Sequence, residues 1–254
     1  MNIPADLLTR LKRARHVVAF TGAGVSAESG IPTFRDRQSG LWQNFDAESL
    51  ATPEAFERDP ALVWGWYEWR RSQVLASQPN AAHRMIAALA GRVPRLTLIT
   101  QNVDDLHERA GSPNVLHLHG RLCAPYCCAC GRPYPAVPPA PAGPEGGCPM
   151  EPPRCSHCGG RIRPGVVWFG ECLPRQPWEQ SVDAARGCDA FLCIGTSSLV
   201  EPAAGLTRAA IAAGAATIQV NIDSTCLDDL VTLNLCGPAA SMLPRLLTEV
   251  WPDG

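Results

Sequence analysis

The apolar run His16–Thr21 (HVVAFT) leads directly into Gly22-Ala23-Gly24, and this junction constrains the fold more than any other stretch. A short apolar run closed by two nearby glycines reads as a buried strand whose chain turns sharply into a helix. Backbone N–H groups left free in such a turn suit a pyrophosphate. Gly22, Gly24 and Ala27 fit the loose G-x-G-x-x-G/A pattern, yet its acidic partner, expected about 20 residues on at the end of a second strand, is missing. Asp46 and Glu48 lie near that distance, in a stretch without strand character. Alone, the glycines fit a tight turn without a ligand equally well.

Further short strands are expected at Arg95–Thr100, 115–118, Ala190–Ile194 and 216–222. Helical patterns separate several of them: Asn80 can cap a helix running to Leu89, and residues 201–213 and Ala239–Val250 carry helix formers. Strands alternating with helices predict an α/β fold, a Rossmann-type parallel sheet with helices on both faces. Polar residues follow the strand ends repeatedly: Gln101-Asn102-Val103-Asp104, His119, Gly195-Thr196-Ser197 and Asn221. A dinucleotide crevice belongs at those ends.

The N-terminus spaces Leu7, Leu8 and Leu11 along one helix face among charges, unlike a signal peptide, and the alanine-rich residues 203–220 read as helix then strand rather than a membrane span. A cytoplasmic protein is expected. Its net charge of -2 implies no attraction to nucleic acid or membrane. Twelve cysteines in a reducing compartment point to metal rather than disulfides. Cys127-x-x-Cys130 and Cys155-x-x-Cys158, each closed by glycine, make two knuckles suited to one structural zinc ion. Cys123, Cys128, Cys148 and His157 are rival ligands, whereas Cys172, Cys188, Cys193, Cys226 and Cys236 are expected to be small buried hydrophobes. Residues 131–154, rich in Pro and Gly, read as a loop projecting from the zinc site.

With these motifs in order, the chain resembles the sirtuins, NAD-dependent protein lysine deacylases. Residues 22–35 look like that family's first motif, 100–107 (TQNVDDLH) its second, 118–120 (LHG) its catalytic histidine motif, and the four cysteines its zinc module. Residues 166–171 (VVWFGE), 195–198 (GTSS) and 220–223 (VNID) continue the match, which spans nearly the whole chain. The resemblance implies a Rossmann-type domain of residues 1–36, 79–120 and 166–254. A smaller helical and zinc-ribbon domain would take 37–78 and 121–165. It also implies that NAD is consumed as co-substrate, with an acyl group moved from a protein or peptide lysine to ADP-ribose; a monomer is the default expectation.

The carried-over roles follow the motifs. His119 is expected as general base, with an imidazole's pKa near neutrality. His117 shares its strand face, so spacing alone does not choose between the two. Asn102 and Asp104 are expected to position nicotinamide and a water. Gly22, Ala23, Gly24, Ser26, Glu28, Thr33, Phe34, Arg35, Gln101, Val103, Gly195, Thr196, Ser197, Asn221, Ile222, Asp223 and Ala239 are expected around NAD, with Phe34 and Arg35 covering the reacting ribose. Val167, Trp168, Phe169 and Gly170 are expected against the substrate.

Within the family, Tyr67 and Arg70 narrow the resemblance to the class that removes succinyl and malonyl groups, and such members also remove acetyl groups. At i and i+3 of a helix they share a face, and a guanidinium fork with a phenol suits a carboxylate. From composition alone, VWGWYEWRR at 63–71 is an aromatic helix packed into the small domain, with Trp64, Trp66 and Trp69 as packing residues and Arg70 and Arg71 solvated. Two other readings compete: a protein mono-ADP-ribosyltransferase and a non-enzymatic zinc-ribbon binding module.

Overall fold

A computed structural model describes residues 3–33, 47–135 and 148–252. Phe34, Arg35 and Asp46 lie outside the described residues, as do 37–46 of the expected small domain and 136–147 of the expected loop.

Six parallel strands form the main sheet: β1 (His16–Thr21), β2 (Arg95–Thr100), β3 (Leu116–His117), β6 (Ala190–Ile194), β7 (Ala216–Asn221) and β8 (Leu233–Cys236). Their order is β3-β2-β1-β6-β7-β8, so the direction of winding reverses between β1 and β6. This is the doubly wound order of dinucleotide-binding sheets. Register brings the carboxyl ends level, because Thr21 pairs with both Thr100 and Ile194, Thr100 with His117, and Ile194 with Val220. The polar residues that follow these strands therefore leave the sheet together.

Alternation sends Val17, Ala19, Leu98, Leu192 and Ile218 to one face, where they bury Leu7 and Leu11 of α1 (Ala5–Arg13), Ile86 and Leu89 of α6 (Ala81–Leu89), and Leu243, Leu246 and Leu247 of α10 (Ala239–Val250). Val18, Phe20, Ile99 and Phe191 face the other way, onto Ala184 and Ala185 of α8 (Arg175–Gly187) and Leu206 and Ala210 of α9 (Gly205–Ala212). Asn80 begins α6 with a reciprocal cap: its side chain accepts from Ala82 and His83, while the His83 ring accepts the Asn80 N–H. A cap of this kind stabilises a helix by about 1 kcal/mol.

A separate apolar core gathers residues from the helices α4 (Pro53–Arg58) and α5 (Pro60–Ala76) with Leu122, Cys127, Cys155, Ile162, Val166 and Trp168. Its ribbon is the antiparallel pair β4 (Tyr126–Cys127) and β5 (Ile162–Arg163). Thr52 and Asp59 cap α4 and α5 just ahead of Pro53 and Pro60, so the chain restarts after a sharp corner.

Several expectations need correction. The strand expected at 115–118 contracts to two residues, and the helix expected from 201 begins at Gly205 after turns. The β4, β5 and β8 strands and α8 are additions to the sequence reading. Cys188 and Cys193 are buried as expected, but Cys172, Cys226 and Cys236 are exposed, because they lie on connections or on the edge strand. Among the described residues, no helix is long and apolar enough to cross a membrane.

Candidate active site

The loops after β1 and β6 meet at the switch point of the sheet. Gly24 N–H donates to Gly195 O at 2.8 Å, and Gly22 N–H to Ile194 O at 2.9 Å. A Cβ on Gly24 would lie 2.8 Å from Gly195 Cα, and one on Gly195, whose φ is 60°, would lie 2.5 Å from Val25 N. These glycines are thus required by the approach of two backbones, which the motif alone does not reveal. The turn continues into the short helix α2 (Gly24–Ala27), with Ala23 on its lip.

Beside it, residues after β2 form a buried network. Ser26 Oγ donates to Asp104 Oδ2 at 3.0 Å and accepts the Asn102 amide at 3.0 Å. Asp104 Oδ1 accepts Leu106 N–H at 3.1 Å, and Asn102 N–H donates to Thr100 Oγ1. Gln101 Nε2 reaches across β1 to Thr196 Oγ1 at 2.9 Å. Burial pushes the Asp104 carboxyl up, against the bonds from Leu106 and Ser26.

The two histidines of the third motif are distinguished by their partners. His117 offers both ring nitrogens to acceptors, Nδ1 to Asn102 O at 3.1 Å and Nε2 to Glu108 Oε1 at 2.7 Å. Among the described residues, His119 binds only through Nδ1, 3.0 Å from Gln101 O. A carbonyl accepts, so Nδ1 carries the proton and Nε2 keeps its lone pair. Burial lowers the His119 pKa, opposed by the bond to Gln101. Gly120 next to it has φ 75°, and a Cβ there would lie 2.2 Å from Gly165 O, so glycine is the residue that lets the histidine sit against the 165–167 segment. Val167 N–H closes that contact on His119 O at 2.9 Å.

On α5, Tyr67 and Arg70 are both buried, at 4% and 8% exposure, which removes the solvated reading of Arg70 and also of Arg71. Arg71 forks onto Glu68, and the Arg70 guanidinium lies 5.2 Å from the Trp66 ring centre. Burial lowers the Arg70 pKa, opposed by the charges of Tyr67 and Asp104, so this guanidinium lies within electrostatic reach of the Asp104 network. Trp64 and Trp66 are core residues, and Trp69 packs at their edge. Trp168 is buried while Val167, Phe169 and Gly170 are partly or fully exposed beside it.

Other expected cofactor residues are more dispersed. Glu28 is bound elsewhere, its Oε2 accepting Ala240 N–H at 2.7 Å at the start of α10. Ala239 is buried in the first core. Asn221 Nδ2 donates to Asp223 O at 3.0 Å, and Ile222 stands 54% exposed. Ser197 lies on the loop after β6, Thr33 is the last residue before the undescribed stretch, and Val103 O accepts Leu122 N–H.

The four knuckle cysteines converge with their sulfur atoms within 4.8 Å of one another. Cys127 and Cys158 are 3.5 Å apart and Cys130 and Cys155 3.8 Å. Four thiolates about 2.3 Å from a tetrahedral zinc would lie about 3.8 Å apart, so this donor set fits a closed structural site. Among the described residues, Cys123, Cys128, Cys148 and His157 take no part in the cluster.

The Sir2 family profile matches residues 22–202. An NAD-dependent protein deacylase of Methylococcus capsulatus is 56% identical over 247 residues, 97% of each chain. NAD-dependent protein deacylase 1 of Pseudomonas aeruginosa is 55% identical over 242 residues, 95% of this chain and 97% of its own. A solved Sir2 homolog–NAD complex has a TM-score of 0.88 at 42% identity, covering 98% of this chain and 94% of the other. A Sir2–p53 peptide–NAD+ complex has a TM-score of 0.82 at 30% identity, with 98% of both chains covered. With the doubly wound sheet, the histidine held through one nitrogen and the four-cysteine ribbon all in the matched order, this chain belongs to the Sir2 family, the sirtuins.

Proposed function

We propose that this sirtuin is an NAD-dependent protein lysine deacylase that favours the acidic succinyl and malonyl groups and also removes acetyl groups. The names of its close relatives support deacylation. One observation carries the acyl preference: Tyr67 and Arg70, at i and i+3 of α5, are both buried on one face of that helix. A planar guanidinium fork beside a phenol on one helix face suits a substrate carboxylate.

NAD, when bound, supplies a ribose carbon that gives up nicotinamide and a ribose hydroxyl that receives the acyl group. The residues fit it through the switch-point turn and the polar network after β2. His119 Nε2 takes the proton of that hydroxyl, directly or by relay, while Nδ1 stays fixed on Gln101 O. Asn102 and Asp104, locked by Ser26, hold the nicotinamide side and a water. Gly22 to Ser26, Thr33 to Arg35, Gln101 and Gly195 to Ser197 hold the phosphates and riboses, and Asn221 to Asp223 the adenosine side. The main chain of residues 167–170 holds the acyl-lysine peptide, with the Trp168 indole turned away into the second core. Cys127, Cys130, Cys155 and Cys158 would hold zinc, which would complete the ribbon and, with four protein ligands, supply no chemistry. We divide the chain accordingly into a cofactor domain of 1–36, 79–120 and 166–254 and a small domain of 37–78 and 121–165.

The test is incubation with NAD and matched acetyl-, malonyl- and succinyl-lysine peptides, following nicotinamide release and peptide mass. Arg70→Met should impair desuccinylation far more than deacetylation, and His119→Ala should abolish turnover with fold and zinc intact. Equal loss of both acyl activities in Arg70→Met would remove the carboxylate clamp. ADP-ribose found on protein, with no acyl loss from any peptide, would favour transferase chemistry.

A further inference from the structure

Tyr67 and Trp168 meet inside the second core. The Trp168 indole Nε1 is 3.1 Å from the Tyr67 phenol oxygen, and both side chains are buried. An indole nitrogen only donates, so the phenol oxygen is the acceptor. While it accepts from the indole, the phenol keeps its own O–H as a donor.

The indole is held tightly. The Arg163 guanidinium stacks 3.6 Å from the Trp168 ring centre and forks onto Glu171 at 2.6 and 2.8 Å. Glu171 also accepts the Trp168 backbone N–H at 2.8 Å, and Arg163 Nη2, one of the two forking nitrogens, donates as well to Val166 O at 3.1 Å. Phe56 packs on the indole with ring centres 5.3 Å apart. Arg163 belongs to β5, whose partner β4 carries the zinc-knuckle residue Cys127.

Building on the acidic-acyl reading above, we propose that Trp168 is a specificity-positioning residue, its clamped indole N–H turning the Tyr67 hydroxyl to donate to the substrate carboxylate. The preference for acidic acyl groups then depends on a donor set before substrate arrives. Arg163, on the ribbon strand β5, and Glu171 would hold it. Burial pushes the Tyr67 pKa upward, so the phenol keeps its proton throughout the working range.

Trp168→Phe removes the N–H and keeps an aromatic ring for Arg163 to stack on. The measurement is the ratio of kcat/KM for succinyl- and acetyl-lysine peptides, with KM and kcat resolved and zinc content measured alongside. We expect Trp168→Phe to lower the ratio about fivefold, mainly through the succinyl KM, the worth of orienting one hydrogen bond to a charged acceptor. Tyr67→Phe should lower it at least as far, and the double variant should match Tyr67→Phe to within about twofold, because the indole acts through the phenol. An unchanged ratio in Trp168→Phe beside a collapsed one in Arg70→Met would overturn this inference and leave the carboxylate clamp standing. Independent, multiplicative losses in the double variant would overturn it as well. A wild-type enzyme that does not turn over succinyl-lysine would overturn both readings together.

Discussion

Acid should destabilise this protein through two histidines that take no direct part in the proposed chemistry. His83 and His107 lie with ring centres 4.8 Å apart, 0% and 1% exposed, behind the Ser26–Asp104 network. Burial, with Arg84 adding to it, holds the His83 pKa down to about 4; burial, with His83 and His117 nearby, holds His107 down to about 3. His83 accepts Asn80 N–H at Nδ1 and meets Ser26 Oγ through Nε2, while His107 Nε2 bonds Thr21 Oγ1 at 3.0 Å. His107 Nδ1 is buried with no hydrogen-bond partner among the described residues.

An unfolded histidine takes up its proton near pH 6.5, so below that value the unfolded state binds more protons than the native one. Stability is therefore full above about pH 6.5 and declines as pH falls toward the native values near 4 and 3. At about 1.4 kcal/mol per pH unit, each histidine forfeits roughly 2 kcal/mol by pH 5, about 4 kcal/mol for the pair. That is a large share of an ordinary folding free energy of about 5–15 kcal/mol. Lowered pKa values at His16 and His119 act in the same direction, whereas the depressed carboxyls of Glu171, Asp189 and Asp228 titrate at lower pH. Urea unfolding followed by tryptophan fluorescence at pH 7.5, 6 and 5, with bound zinc measured in each sample, reads the slope. His107→Gln keeps a donor for Thr21 and should remove about half of the pH dependence. A wild-type loss under about 1 kcal/mol between pH 7.5 and 5, zinc being retained, would refute the argument.

The acidic limb of the kcat/KM profile should fall below an ordinary histidine's pKa, because burial lowers His119 and its neutral form is the base; a limb above pH 6.5 would contradict this. Stripping zinc with a chelator should unfold the β4–β5 ribbon, expose the apolar core that contains Cys127, Ile162 and Trp168, and abolish activity while the parallel sheet keeps its circular dichroism. Full activity in metal-free protein would rule out the structural role.

The local patterns of β1, β2, β6 and α10 reproduce the built elements because each long apolar run meets one consistent environment. Likewise, the spacing of Cys127, Cys130, Cys155 and Cys158 made the cysteine cluster legible, since a knuckle is built from residues close in sequence. The strand β8 and the ribbon pair β4–β5 were illegible, being four residues or fewer and defined by their partners' hydrogen bonds rather than by alternation. So were the exposures of Cys172, Cys226 and Cys236. Sequence offered Gly22 and Gly24 as a phosphate turn, but only the packing shows that Gly195 fills the space a side chain would need. Spacing alone left His117 and His119 equal and the family resemblance favoured His119; the positions of Glu108, Asn102 and Gln101 add that, among the described residues, His119 is the one of the two with an unengaged ring nitrogen. It placed Tyr67 and Arg70 on one face, and only the fold brings the Trp168 indole, 101 residues away in the chain, onto the phenol. Near neighbours in sequence determine turns, knuckles and the faces of single helices. Which side chains finish a site depends on contacts between distant segments, and those exist only once the chain has closed on itself.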